Sequence, residues 1–178
     1  AFADYGEYLD SLEMTATIQG FAPLYIQRIA QLTNKSNQFN LTTLRCSEED
    51  IRTMAEDADH LCLCGKLVDK FGDNGIVTVV AGQQQGSALH MRLWLMSCRV
   101  LKRGMEDAMM DTLMRHAAAR GIEKVVGYYY PTAKNAMVRE FYAQFGFAKT
   151  QESEQGTTWE LNVADYLPRN PHMKIEEA

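Results

Sequence analysis

Residues 93–110 read LWLMSCRVLKRGMEDAMM, an apolar run joined to a stretch of helical periodicity by the basic segment Lys102, Arg103, Gly104. The run belongs to a longer alternating segment, ALHMRLWLMSC (88–98). Leu89, Met91, Leu93 and Leu95 fall on one face, and His90, Arg92, Trp94 and Met96 on the other. That pattern predicts a strand with one core face and one face lining a cleft. Downstream, Met105, Ala108, Met109, Leu113 and Ala117 mark a helix that Gly121 can end. A helix start leaves backbone N–H groups without partners and carries about half a positive charge. Glycine beside two cations at that point suits an anion such as pyrophosphate, although basic turns with one glycine are common and an ordinary solvated strand-to-helix turn is the reading the segment favours by itself.

Working outward, HLCLCGKLVD (60–69) and GIVTVVAG (75–82) read as strands joined by a hairpin at KFGDNG. Toward the N-terminus, MTATIQGF (14–21) is a short alternating strand, and Pro23 opens a helix carrying Ile26, Ile29 and Ala30. Ser47 with Asp50 resembles a capping box ahead of a second helix with Ile51, Met54, Ala55 and Ala58. Toward the C-terminus, KVVGYYYP (124–131) is a strand. Val138, Phe141, Tyr142 and Phe145 form a short helix closed by Gly146, and TTWELNV (157–163) is a last strand. The order β-α-α-β-β-β-α-β-α-β predicts an α/β domain whose mixed central sheet is antiparallel in its hairpins and parallel across the helical crossover. Residues 1–13 are expected to be a helix or linker from an upstream region, 14–166 the domain, and 167–178 a flexible polar tail.

The chain of 178 residues is long enough for one buried core, and 46% hydrophobic residues place it among globular proteins. Its net charge of −5, from 23 acidic and 18 basic side chains without a basic tract, argues against nucleic acid as a partner. No apolar run approaches the roughly 20 residues that a membrane helix needs, so no membrane partner is expected. Cys46, Cys62, Cys64 and Cys98 read as reduced thiols of a cytoplasmic protein. Cys62 and Cys64 have no second ligand pair at zinc spacing, so no metal is expected. The opening on Ala1 suggests a piece of a longer protein.

The element order, the 93–110 stretch and NAMVREFYAQFGF (135–147) together resemble the GNAT acetyltransferase fold. The resemblance implies that acetyl-CoA, or a phosphopantetheine thioester, binds between the fourth and fifth strands. Its pyrophosphate would lie on the loop of Lys102, Arg103, Gly104 and Met105, and its arm would run beside Met96 and Cys98. Glu106 falls where the family's loop has a small residue, placing a carboxylate near the expected phosphates. By the same resemblance Asn135 would contact the pantetheine arm and Tyr142 would protonate the departing thiolate. Tyr142 also lies on an apolar stripe, which fits a core tyrosine as well as a catalytic one.

A closer resemblance covers most of the chain. NKSNQFNLTTLR (34–45), RLWLMSCRVLKRGMEDAM (92–109) and YYPTAKNAMVREFYAQFGF (129–147) resemble the C-terminal region of FkbH-like proteins. In these, an upstream haloacid-dehalogenase-like (HAD-like) domain loads a glyceryl group and passes it to an acyl carrier protein. The resemblance implies that domain and a carrier protein as partners. It leaves two roles open: acyl transfer from a thioester, or non-catalytic docking of the carrier protein. For acyl transfer, the polar loop with Asn37, Gln38, Asn40 and Thr42 would form the acceptor pocket. His90 is the nearest base and Cys98 a candidate acyl-accepting thiol; a structural histidine and a packed cysteine are the other readings of these two.

Overall fold

The computed structural model describes residues 2–178. A helix over Tyr5–Ser11 (α1), capped by the Asp4 carboxylate, leads directly into strand β1, Met14–Gln19. Two helices follow, α2 (Ile26–Lys35) and α3 (Glu48–Glu56), and Ser47 with Asp50 forms a complete capping box on α3. Three strands run next, β2 (His60–Asp69), β3 (Gly72–Gln85) and β4 (Ala88–Met96). Helix α4 (Met105–Ala119) crosses over to β5 (Lys124–Tyr129). The short α5 (Phe141–Gln144) precedes β6 (Ala148–Ser153), β7 (Gly156–Asn162) and β8 (Met173–Glu177).

The eight strands form one sheet in the order β6-β7-β5-β4-β3-β2-β1-β8. It is the expected mixed sheet: antiparallel through β1-β2-β3-β4 and β5-β7-β6, parallel where α4 joins β4 to β5. One apolar cluster joins the face carrying Leu89, Met91, Trp94 and Met96 to α4 and α5; a second joins Leu93 and Leu95 to α2 and α3. The two faces of β4 are therefore not the simple alternation that the sequence suggested. A bulge opposite Ala81 and Gly82 moves Arg92 out of step, so Leu93 and Leu95 sit on the opposite face from Leu89 and Met91. The methionines of α4, Met105, Met109, Met110 and Met114, are buried as core filler.

Three expectations are corrected. The β2–β3 turn falls on Lys70 and Phe71, because Asp69 pairs with Gly72 and the Asp-Asn-Gly segment belongs to β3. A strand that was not expected, β6, forms from wholly exposed residues at the sheet edge. The tail is not flexible throughout: β8 pairs in parallel with β1, Met173 is buried, and Glu177 binds Arg115 at 2.8 Å and His116 at 2.6 Å.

Candidate functional site

Strands β4 and β5 pair only at their beginnings, Ala88 with Lys124, Leu89 with Val125 and His90 with Val126. Beyond that they part, and the β4 edge from Trp94 to Met96 faces a gap. Parallel strands that diverge leave unpaired backbone groups, which need partners. Here the chain supplies them itself. The Leu41 N–H donates to the Trp94 carbonyl at 3.0 Å, the Met96 N–H to the Phe39 carbonyl at 3.0 Å, and the Tyr130 N–H to the Leu41 carbonyl at 2.9 Å. Asn40 makes an antiparallel bridge with Leu95. Residues 39–42 thus lie in the gap like an inserted strand, bonded to both of its edges.

The side chains of this insert fill the space below it. Phe39 stands edge-on to Phe141 at 5.6 Å, and Leu41 is wholly buried. Asn40, expected to face an acceptor, is buried: its Nδ2 donates to the Ser36 carbonyl and its Oδ1 accepts from the Thr43 N–H. The Thr42 hydroxyl donates to the Arg92 carbonyl at 2.7 Å.

Asn135 secures the insert from the other side. Its Nδ2 donates to the Asn40 carbonyl at 2.9 Å and the Tyr130 carbonyl at 3.0 Å. Its Oδ1 accepts from the Thr132 N–H at 2.8 Å and the Tyr129 hydroxyl at 3.2 Å. An amide has two donors and two acceptor positions, so none remains for a pantetheine arm.

Tyr142 lies under the insert, wedged against Trp94, Phe141 and Phe147. It is 1% exposed, its hydroxyl has no hydrogen-bond partner, and burial pushes its pKa well above the usual tyrosine range. Gly127 is required here: a Cβ would stand 2.4 Å from Tyr142 Cζ. The stripe reading is therefore the one the structure displays. No opening leads from the hydroxyl to the surface, as a proton donor to a bound thioester would need.

At the start of α4, Gly104 is the N-cap with φ 87°, a left-handed conformation that favours glycine, and Lys102 also has positive φ. Lys102 is exposed and its carbonyl accepts from the Tyr5 hydroxyl, so α1 packs across the loop. Arg103 is already spent on Asp69, at 3.0 Å. Met96 and Met105 are buried in the core. The first turn carries Glu106 and Asp107. Burial raises the Glu106 carboxyl, whose Oε2 has no partner; burial and the neighbouring Glu106 and Asp111 carboxylates raise Asp107 to about 6.

Cys98 is exposed on the turn after β4 and donates its thiol to Gln38 Oε1 at 3.3 Å. The other thiols are less accessible, and desolvation pushes Cys62 and Cys64 up to about 12. Asn37 accepts from Arg45 at 2.6 Å, away from the gap. Among the described residues no group of three metal-ligating side chains forms, and no helix is long and apolar enough to cross a membrane.

The sequence-predicted residues thus divide. Thr42 and His90 share a cavity of about 390 Å³ with Leu44, Gln83, Gln85, Met91, Arg92, Tyr128 and Tyr130 on the α2/α3 side of the sheet. Asn135 and Tyr142 cluster around the insert on the other side, and Lys102 and Gly104 lie at the α4 start. The insert itself was missed. Its only local sign is the alternation Phe39, Asn40, Leu41 inside a polar stretch.

No protein-family model matches the chain, and no curated protein matches it in sequence. Solved structures do match it in fold. The ribosomal-protein-S18-alanine N-acetyltransferase from Escherichia coli superposes with a TM-score of 0.63 at 12% identity, over 84% of this chain and 94% of that one. PaiA N-acetyltransferase from Thermoplasma acidophilum, solved with coenzyme A, gives 0.61 at 14% identity over 83% and 99%. Ard1 from Thermoplasma volcanium gives 0.62 at 17% identity over 84% and 98%. The domain has the GNAT acetyltransferase fold.

A CoA thioester in the β4–β5 gap does not fit the residues present. The insert holds the backbone groups of the gap, Asn135 is saturated, and two carboxylates stand in the first turn of α4. The exposed Lys102 and the positive-φ Gly104 alone suit an anion.

Proposed function

We propose that this chain is the GNAT-fold half of an FkbH-like protein, and that it works there as a non-catalytic module. In this reading it braces an upstream HAD-like glyceryl-transfer domain and docks the acyl carrier protein. The observation that carries the proposal is the self-filled β4–β5 gap: a domain that closes this gap with its own backbone leaves no place for a thioester. The three stretches 34–45, 92–109 and 129–147 support the FkbH-like assignment. The first contains the insert and the third contains Asn135, which ties it down.

Carrier proteins are typically acidic, so docking calls for exposed cations. Arg99 and Lys102 are both exposed on the turns between β4 and α4. Arg103 is neutralised by Asp69 and contributes less. Exposed charges at the rim of an interface act mostly through association rate and salt dependence.

A second reading is favoured by one observation, the buried Tyr142 hydroxyl without a partner. In it, residues 39–42 withdraw, an acyl thioester takes their place, and the hydroxyl finds a partner there.

Calorimetric titration with acetyl-CoA, desulfo-CoA and a phosphopantetheinylated carrier protein separates the two. The docking reading expects no CoA heat at millimolar ligand and carrier binding that weakens in Arg99→Glu/Lys102→Glu. Micromolar acetyl-CoA binding, with turnover lost in Tyr142→Phe, would establish the second reading instead.

A further inference from the structure

The cavity on the α2/α3 side of the sheet, which holds the acceptor candidates Thr42 and His90, has a chemistry that the docking role does not use. Its floor is β3, β4 and β5 beyond the cover of the helices, where Gln83, Gln85, His90, Arg92 and Tyr128 come together. Arg92 is the notable member. Among the described residues it forms no ion pair, and its one side-chain hydrogen bond runs from Nη1 to His60 Nε2, at 3.1 Å. A guanidinium only donates, so His60 Nε2 accepts and the imidazole proton sits on Nδ1, which donates to Asp57 at 2.8 Å. Asp57 and His60 thus hold Arg92 by one corner and leave its other N–H groups without partners. Asp50, at the start of α3, feels the Arg92 charge without contacting it.

The rest of the wall is polar but neutral, with an aromatic side. His90 Nδ1 and the Tyr128 hydroxyl are hydrogen-bonded at 2.7 Å, and their rings stack at 6.0 Å. Tyr130 continues the stack at 6.2 Å from Tyr128. The Gln83 and Gln85 amides make no side-chain hydrogen bond among the described residues, and Glu160, whose charge reaches His90 and Tyr128, is bound to Lys124 at 2.7 Å. The cavity therefore offers one fixed cation, free amide groups and a ring surface, with no free carboxylate to attract a cation.

We propose that this cavity is a binding site for a small organic monocarboxylate carrying an amide or hydroxyl group. The carboxylate is held by Arg92, the polar group by Gln83 or Gln85, and the body lies against Tyr128 and Tyr130. A volume of about 390 Å³ is at the small end for ligand pockets and limits the molecule accordingly. A single cation, without a helix start or a nest of backbone N–H groups, matches one negative charge rather than a phosphate dianion. The site lies across the sheet from Tyr142 and α4, so it stands or falls independently of the docking role.

The test is a titration of the ¹⁵N-labelled chain with N-acetylglycine, its uncharged amide N-acetylglycinamide, and inorganic phosphate, read at the amides of Gln83, Arg92, Tyr128 and Tyr130. The acid should give saturable shifts at low-millimolar concentration or below. Its affinity should fall by at least about tenfold in Arg92→Gln, as expected for loss of a charge-assisted bond. The amide should bind as weakly. Gln83→Glu, a near-isosteric change at a half-buried position that leaves Arg92 and the His60 contact in place, should abolish binding by supplying a competing carboxylate, with the remaining amide spectrum unchanged. Equal binding of acid and amide, tighter binding of phosphate than of the acid, full binding by Gln83→Glu, or no shifts at these residues would each overturn the proposal.

Discussion

Tyr142 and Asp107 each place a polar group where water does not reach it easily. The Tyr142 hydroxyl is buried without a partner, and such a group costs folding energy while contributing no bond. Tyr142→Phe is therefore expected to leave stability unchanged or to raise it by up to about 1 kcal/mol in urea unfolding. A loss larger than about 1 kcal/mol would show that the hydroxyl has a buried partner. Asp107 makes a pH-dependent counterpart. Its folded pKa, about 6, lies above that of an unfolded aspartate, so the folded chain holds its proton longer. The cost of ionising it is absent below about pH 4, accrues as pH rises to about 6 and is complete above that. Asp107→Asn should stabilise the protein at pH 7 by about 1 kcal/mol, allowing for solvent screening at a half-buried site, and by nothing at pH 3.5. Equal gains at both pH values would contradict this origin. The core role of Tyr142 was legible from its position on an apolar stripe, and its catalytic role was implied only by the family resemblance. Which applied depended on residues 39–42, far away in sequence, that no local pattern connects to it.

Among the elements, β8 shows how little local signal a strand needs when an edge awaits it. Residues 173–177 are mostly polar and sit near the C-terminus, so their composition suggests a tail. β1 nevertheless offers an open edge, to which they add in parallel. The capping box of α3, the crossover helix and the central strands were legible because each announces itself within a few residues. The all-exposed β6 and the β4 bulge were not, since both are set by the strands beside them. Removal of residues 172–178 deletes the β1 pairing, the buried Met173 and the Glu177 ion pairs. It should cost about 2–4 kcal/mol in urea unfolding and raise light scattering, because β1 becomes an exposed edge. An unchanged midpoint would mean that β8 does not hold in solution.

For the molecule as a whole, the β4–β5 gap is where the chain departs from what the resemblance implies. The sheet order and the crossover are those of the GNAT fold, whereas the β4–β5 gap, in which the resemblance placed a thioester, is closed by Phe39, Asn40 and Leu41. The closure is built from three backbone hydrogen bonds, a saturated asparagine and two buried apolar side chains, features that belong to a core and not to a mobile loop. The most direct measurement is native-state amide hydrogen exchange at Leu41, Met96 and Tyr130, with and without 1 mM acetyl-CoA. A closed gap requires all three amides to be protected to the level of neighbouring β3 and β4 amides, and their rates to be unaffected by the ligand. Exchange at the rate of an open loop, or a change at these three amides on adding acetyl-CoA, would contradict it.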